Sequence, residues 1–215
     1  MIYVIAKGIY EKESLENLFS QGEFRRATRN MGIAYLSMKK CVDTVTLHWE
    51  KIQSSLGAVL GTSHGELNAT AEFLSELAIS NTARPLIFQS SLHNATLGFL
   101  AKQFGVTGPT LTVSNLEYSG EEALEAAETL LLSNTISFCL VTCCDLIPEK
   151  LSGPFSDMYP PQKNLKEGAA TLLLANEKGI SEIEGLEPIG NLETLPPKRF
   201  SQYDSDYIES LARTF

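Results

Sequence analysis

The stretch GPTLTVSNLEYSG, residues 108 to 120, decides the fold of this 215-residue chain. Its Gly-Pro pair predicts a tight turn, and the alternation of polar and apolar residues in TLTV predicts a β strand. The loop NLEYSG then leads into GEEALEAAETLLLS, a predicted helix with two glutamates at its positive end. This order of turn, strand, loop and helix is typical of the approach to a catalytic nucleophile, but Glu117 stands where a thiol or a hydroxyl is expected.

Four further apolar runs predict buried strands. They are IYVIA near the N terminus, LGAVLGTS at 56 to 63, TISFCLVTCC at 135 to 144 and EGAATLLLANE at 167 to 177. The first of them is expected to lie centrally in the sheet, because nearly every residue in it is apolar. Five strands with helices between them predict an α/β domain whose sheet is covered by helices on both faces.

The predicted helices are amphipathic. One carries a single apolar stripe made of Met31, Ala34, Tyr35, Met38 and Cys41. A second, in SLHNATLGFLAKQFG, places Leu92, Leu97, Leu100 and Ala101 near one side and ends at Gly105, a predicted C-cap. Residues 147 to 165 are predicted to form a loop, and DYIESLART near the C terminus a short helix.

The charge balance narrows the classes of partner. A formal net charge of -9 argues against nucleic acid and anionic lipid, since both repel an acidic surface that has no large basic patch. The densest basic cluster is typical of the solvated face of a helix and is formed by Arg25, Arg26 and Arg29. No signal-peptide pattern and no long apolar span is present in the sequence, so we expect a cytoplasmic protein.

The four cysteines are predicted to be buried, reduced thiols. The spacing of Cys41, Cys139, Cys143 and Cys144 lacks the paired pattern of a metal site. The last three lie in or beside one apolar run. We therefore expect neither a bound metal nor a cofactor.

The order of these segments resembles the N-terminal half of a β-ketoacyl synthase of the thiolase fold. The matching segments are RRATRNMGIAYLSMKKCVD, LGAVLGTSHGELNATAEFL, SLHNATLGFLAKQFGVTGPTLTVS, EEALEAAETLLLSNTISFCLVTCCD and PFSDMYPPQKNLKEGAATLLLANE. The resemblance covers most of the chain and implies a five-stranded mixed sheet. It also implies one domain over residues 1–215, with a C-terminal extension at 185–215 and without the family's C-terminal catalytic half.

The resemblance breaks down at the catalytic residues. Glu117 occupies the position of the family's nucleophilic cysteine, and an acyl group on a carboxylate would form a hydrolysable anhydride, so no acyl-carrier role is expected for it. We interpret Glu117 as a carboxylate at a helix start. The family's catalytic histidine motifs do not match any of His48, His64 and His93, and His64 is interpreted as a turn residue.

The resemblance also implies a dimer. In the family an edge strand pairs across a two-fold axis, and here this strand maps to Thr110, Leu111, Thr112, Val113 and Ser114. In the family the helix before this strand reaches the partner's acyl channel. The residues of this chain that map to the channel-facing part are Leu92, His93, Asn94, Leu97 and Gly98. Asn94 has an alternative interpretation as the N-cap of that helix.

These features lead to a functional hypothesis. The chain resembles the chain-length factors of type II polyketide synthases, in particular small proteins of aryl polyene or fatty-acid-like pathways. It is expected to be inactive alone, to pair with a full-length ketosynthase and to shape that partner's acyl channel. Docking of the acidic acyl carrier protein would fall to the ketosynthase, since the charge of -9 repels it. The alternatives are a decarboxylase of malonyl-carrier thioesters and a homodimeric scaffold.

Overall fold

One mixed β sheet organises the computed structural model, which describes residues 1–11, 13–146, 167–192 and 212–215. The strands are β1 (Ile2–Ile9), β2 (Leu56–Gly61), β3 (Thr110–Val113), β4 (Phe138–Asp145), β5 (Gly168–Asn176) and β6 (Gly190–Asn191). Their order across the sheet is β3-β2-β4-β5-β1-β6. β2 pairs in parallel with β3 and β4, whereas β5 pairs antiparallel with β4 and β1. The sheet is therefore mixed, as predicted.

Helices lie between the strands, and those at 29–43, 95–104 and 119–132 lie where the sequence predicts them, whereas those at 49–53 and 177–182 were not predicted. The helices are α1 (Glu16–Phe19), α2 (Arg29–Asp43), α3 (Trp49–Gln53), α4 (Leu67–Ser80), α5 (Pro85–Ser90), α6 (Ala95–Phe104), α7 (Ser119–Leu132) and α8 (Glu177–Glu182). Thr28 caps α2 by accepting a hydrogen bond from Met31 N at 3.1 Å. Gly105 ends α6 with φ of +66°, which confirms the predicted C-cap. None of the described helices is long and apolar enough to cross a membrane.

Two apolar layers bury the two faces of the sheet. Successive residues of a strand point to opposite faces, so Leu140 of β4 packs in the layer with α2 and α6, while Val141 packs in the layer with α7. The first layer includes Ile5, Ile33, Met38, Leu60, Leu97, Leu100 and Leu173. The second includes Val4, Val59, Ala123, Leu124, Ala127, Leu131 and Leu172. This arrangement confirms a sheet that is covered by helices on both faces.

Two details of the predicted sheet are wrong. The sheet has a sixth strand, β6, which is two residues long and too short to give a periodic signal. β1 is not central: it pairs along its length with β5 but meets only β6 on its other side. Its apolar character comes from burial between two layers, which does not require a central position. The predicted loop at 147 to 165 and most of the predicted C-terminal helix lie outside the described residues.

Candidate functional site

A sharp turn joins β3 to α7, and we call residues 115–119 the elbow. A 3₁₀ turn, Leu116–Tyr118, carries Glu117 to the start of α7. Leu116 has φ of +48°, a left-handed conformation that costs a residue with a Cβ roughly 1–2 kcal/mol. Two hydroxyls hold this strained residue, because Ser63 Oγ and Ser119 Oγ each donate to Leu116 O at 2.7 Å. The elbow therefore has a fixed shape; the side chain of Glu117 lies outside the described part of the structure.

Asp145, at the end of β4, anchors the loop that supports the elbow. Its Oδ1 accepts hydrogen bonds from Thr62 Oγ1 at 3.0 Å, Ser63 N at 2.8 Å and His64 N at 3.0 Å. Burial raises the pKa of the Asp145 carboxyl, and the N–H groups of Ser63 and His64 oppose that rise. The loop after β2 is thus tied to β4 on one side and to Leu116 on the other. His64 lies in this loop, as predicted.

A second buried carboxylate, Glu66, joins three helices. Its Oε1 accepts from Thr28 Oγ1 at 2.8 Å and also from Thr96 Oγ1. Asn30 Nδ2 donates to Thr96 Oγ1 at 3.2 Å, and Cys144 Sγ donates to Asn30 Oδ1 at 2.9 Å. Burial raises the pKa of Glu66, and the Thr96 and Thr28 hydroxyls lower it. The network fixes the starts of α2, α4 and α6 against the end of β4.

None of the four cysteines is accessible. All are free and buried, which confirms the prediction of buried, reduced thiols. Burial raises the pKa of Cys41, Cys139 and Cys144 well above the ordinary thiol range. Among the residues that the structure describes, no group of three or more His, Cys, Asp or Glu side chains could hold a metal ion.

The residues predicted to face a partner's acyl channel do not share one environment. The side chains of Leu92, His93 and Asn94 are exposed in the turn before α6, and Gly98 is exposed on α6 itself. Leu97 packs into the chain's own core with 3% of its surface exposed, so it is not presented to a partner. Asn94 occupies the N-cap position of α6, as its alternative interpretation predicts, but its side chain makes no capping hydrogen bond.

β3 is an open edge of the sheet. Thr110–Val113 pairs with β2, and no strand lies on its other side within the described residues; Ser114 follows the strand. Leu111 is 42% exposed, which is high for an apolar strand residue. The hydroxyl of Thr112 is buried and has no hydrogen-bond partner. An open strand edge with an exposed apolar side chain is a ready site for pairing with another chain.

The sequence model of the family described as "Beta-ketoacyl synthase, N-terminal domain" matches residues 36–179 of this chain. These residues include β2 to β5 and the elbow. The chain belongs to this family. The match extends over more than half of the chain and confirms the resemblance read from the sequence. No curated protein sequence matches the chain.

Solved structures of ketosynthases share the fold. The ketosynthase (ApeO) in complex with its chain length factor (ApeC) from Xenorhabdus doucetiae matches with a TM-score of 0.57 and 21% identity, over 78% of this chain and 63% of that one. The ishigamide ketosynthase/chain length factor matches with a TM-score of 0.74 and 13% identity, over 87% and 64%. A third match is a chain in the complex of a type II polyketide synthase acyl-carrier protein with its ketosynthase bound to the hexaketide. It has a TM-score of 0.73 and 14% identity, over 84% of this chain and 64% of that one. The chain thus spans less than two thirds of the length of each.

Sequence reasoning missed the two buried carboxylates. Asp145 ends one buried strand and Glu66 follows shortly after another, and that position was the only signal available. Because β2 and β4 are parallel neighbours, their C-terminal ends lie side by side and bring Thr62 next to Asp145. Which strands are neighbours could not be read from the sequence.

Proposed function

We propose that this chain is a non-catalytic subunit, related to chain length factors, that pairs with a full-length ketosynthase in type II polyketide, aryl polyene or fatty-acid-like synthesis. The observation that carries the proposal is the elbow. The elbow has a strand, a strained turn and a helix start in the order that would present a nucleophile. By this proposal Glu117 takes the nucleophile's place.

The chemistry of acyl transfer supports an inactive chain. A ketosynthase needs a thiolate that can form a thioester, and the four thiols here are buried. Burial also raises the pKa of Cys41, Cys139 and Cys144, which disfavours their thiolate forms. An acyl group on the Glu117 carboxylate would be an anhydride, which water hydrolyses readily. Condensation would therefore take place on the partner.

The open edge of the sheet supports pairing. β3 exposes Leu111 and has no strand on its outer side within the described residues. Two of the structures with the same fold are of ketosynthases with chain length factors. By this proposal β3 pairs with the corresponding strand of the ketosynthase, and the exposed residues Leu92, His93, Asn94 and Gly98 border the partner's acyl channel. Carrier-protein docking then falls to the ketosynthase, since this chain has a net charge of -9.

The test is co-expression with a full-length type II ketosynthase from the same organism, followed by size-exclusion chromatography. We expect the two proteins to elute together, and we expect Leu111→Lys to weaken the complex by about tenfold or more, because it places a charge at the edge of β3. Leu47→Lys is the matched control, because Leu47 is 96% exposed outside β3 and the elbow. Separate elution of the ketosynthase and a homodimer of this chain would overturn the proposal and favour the homodimeric scaffold.

A further inference from the structure

The segment that contains α4 and α5 is weakly embedded in the domain. We call residues 66–91 the α4–α5 unit. Of residues 67–91, Ala69 alone is buried, whereas the next helix, α6, buries Thr96, Leu97, Leu100 and Phe104. A segment with few buried side chains opens at a lower free energy than the core of the same domain. The α4–α5 unit is therefore expected to open before the sheet does.

Contacts within the α4–α5 unit hold its two helices together. The rings of Phe73 in α4 and Phe88 in α5 lie 5.4 Å apart. Thr70 Oγ1 donates a hydrogen bond to Ser91 O at 3.3 Å, which brings the end of the unit back to the first turn of α4. These contacts join α4 to α5 and not to the sheet, so they stay intact when the unit moves as one piece.

One side chain of the unit is inserted into the domain. Glu66 is 2% exposed, and its Oε1 accepts hydrogen bonds from Thr28 Oγ1 at 2.8 Å and from Thr96 Oγ1. Thr28 caps α2, and Thr96 lies in the first turn of α6. The Glu66 carboxyl group therefore fastens the α4–α5 unit to the starts of both helices.

The groups that surround the Glu66 carboxyl are neutral. α2 contributes Thr28 and Asn30, α6 contributes Thr96, and the Cys144 thiol of β4 lies beyond Asn30, to whose Oδ1 it donates. Within the described residues, no Lys, Arg or His side chain forms an ion pair with Glu66. An ionised Glu66 carboxylate is thus buried without a cation.

The titratable and charged residues around this network have other contacts. They are Asp145, Glu167, Cys144, Arg29, His64 and His93. Arg29 pairs with Glu167 at 2.7 Å, and the His93 ring packs against Gly65. Asp145 accepts a hydrogen bond from His64 N, as described above.

We propose that the α4–α5 unit opens away from the sheet as a separate conformational unit, with Glu66 as its pH-sensitive latch. In the closed state the carboxyl group is buried, whereas in the open state water reaches it. Burial of a charge that has no opposite charge beside it is costly, so ionisation of Glu66 favours the open state. This inference concerns the chain alone and does not depend on the proposed function.

The pH dependence of opening has a fixed sign. Burial raises the pKa of Glu66 in the closed state, and the side chains of Thr96, Thr28 and Asn30 oppose that rise. In the open state the carboxyl group has its ordinary pKa. Glu66 therefore favours the closed state most strongly below the ordinary pKa, and this contribution is lost as pH rises through the closed-state value. Between the two values the equilibrium constant for opening should rise by up to about tenfold per pH unit.

Hydrogen exchange of the purified full-length chain, followed by mass spectrometry and corrected for the intrinsic rate at each pH, tests this proposal. We expect amides of residues 67–91 to be protected at least about tenfold less than those of β2 and β4. Their protection should fall as pH rises above the ordinary carboxyl pKa. In Glu66→Gln this fall should disappear, since the amide oxygen keeps the hydroxyl bonds and does not ionise. Glu72→Gln is the matched control, because Glu72 is exposed on α4 and its replacement should leave the wild-type pH dependence unchanged.

A second variant tests the closure of the unit without changing Glu66. Thr70→Val removes the hydroxyl that donates to Ser91 O, so exchange within residues 67–91 should increase by about three- to tenfold at every pH, with β4 unchanged. Protection of residues 67–91 equal to that of β2 and β4 would overturn the separate unit. The same pH dependence in wild type and Glu66→Gln would overturn the latch, and a complete lack of protection at every pH would overturn it as well.

Discussion

Replacing Asp145 with alanine tests whether the support of the elbow is built as described. The change removes the acceptor of three hydrogen bonds, from Thr62 Oγ1, Ser63 N and His64 N. The loop after β2 then loses its link to β4. Ser63 is also the residue whose hydroxyl donates to Leu116 O, so the elbow loses part of its support as well.

The size of the effect follows from the number and burial of these bonds. A hydrogen bond to a charged group contributes about 1.5–3 kcal/mol to stability. Ser63 and His64 are only half-buried, so water can replace part of what their N–H groups lose. Burial of the carboxylate also offsets part of the gain, because it raises the pKa of Asp145. We therefore expect Asp145→Ala to lower the free energy of unfolding by about 3 kcal/mol, well below the sum of three full bonds.

Guanidinium unfolding followed by circular dichroism at neutral pH measures this effect. Asp145→Asn is the matched control, since its amide oxygen can keep the bonds to Oδ1, and it should stay within about 1 kcal/mol of wild type. The pH dependence has a fixed sign. The folded-state pKa of Asp145 is raised, so the pH-dependent part of its contribution to stability is complete below the ordinary carboxyl pKa and is lost as pH rises through the folded value. The free energy of unfolding of Asp145→Asn should therefore increase relative to that of wild type as pH rises. An Asp145→Ala protein within about 0.5 kcal/mol of wild type would refute the anchoring role.

Three further predictions concern packing, the second carboxylate and the thiols. Gly61→Ala should lower the free energy of unfolding by about 1–3 kcal/mol in the same assay, because the added Cβ would lie 2.5 Å from Ser119 O. Gly98→Ala is the control: its Cβ would meet nothing within 4 Å, and it should raise the free energy of unfolding by up to about 1 kcal/mol. Glu66→Gln should become progressively more stable than wild type as pH rises above the ordinary carboxyl pKa, since burial raises the folded-state pKa of Glu66 and the amide oxygen keeps the hydroxyl bonds. A pH-independent difference in melting temperature would contradict this. Ellman's reagent at pH 8 should label no cysteine rapidly in the folded protein and all four in denaturant, and rapid labelling of one thiol in the folded state would disprove its burial.

Much of the fold could be predicted from the sequence, because apolar runs and helical spacing record burial directly. The five longer strands, α2 and the C-cap Gly105 were all found in this way. The position of β1 in the sheet could not be predicted, since burial on both faces is a property of the layers and not of strand order.

The candidate site was predictable only in part. The position of Glu117 before α7 followed from the local order of strand, loop and helix. The roles of Asp145 and Glu66 depend on which strand ends and helix starts lie together, and a single polar residue after a strand does not reveal that. Leu97 maps to the partner's acyl channel only through the family resemblance, whereas the apolar stripe that it shares with Leu100 already indicates burial in the chain's own core.

The pairing of β1 with β5 affects how the protein is made. Ile2 pairs with Asn176, so about 170 further residues must leave the ribosome before the first strand finds its main neighbour. At usual rates of translation this takes roughly 10–35 s, during which an apolar strand remains without its partner. Closing so long a loop also slows folding. The sheet is therefore completed only after residue 176 has left the ribosome, and in the meantime the nascent chain offers the apolar segment of β1 to chaperones.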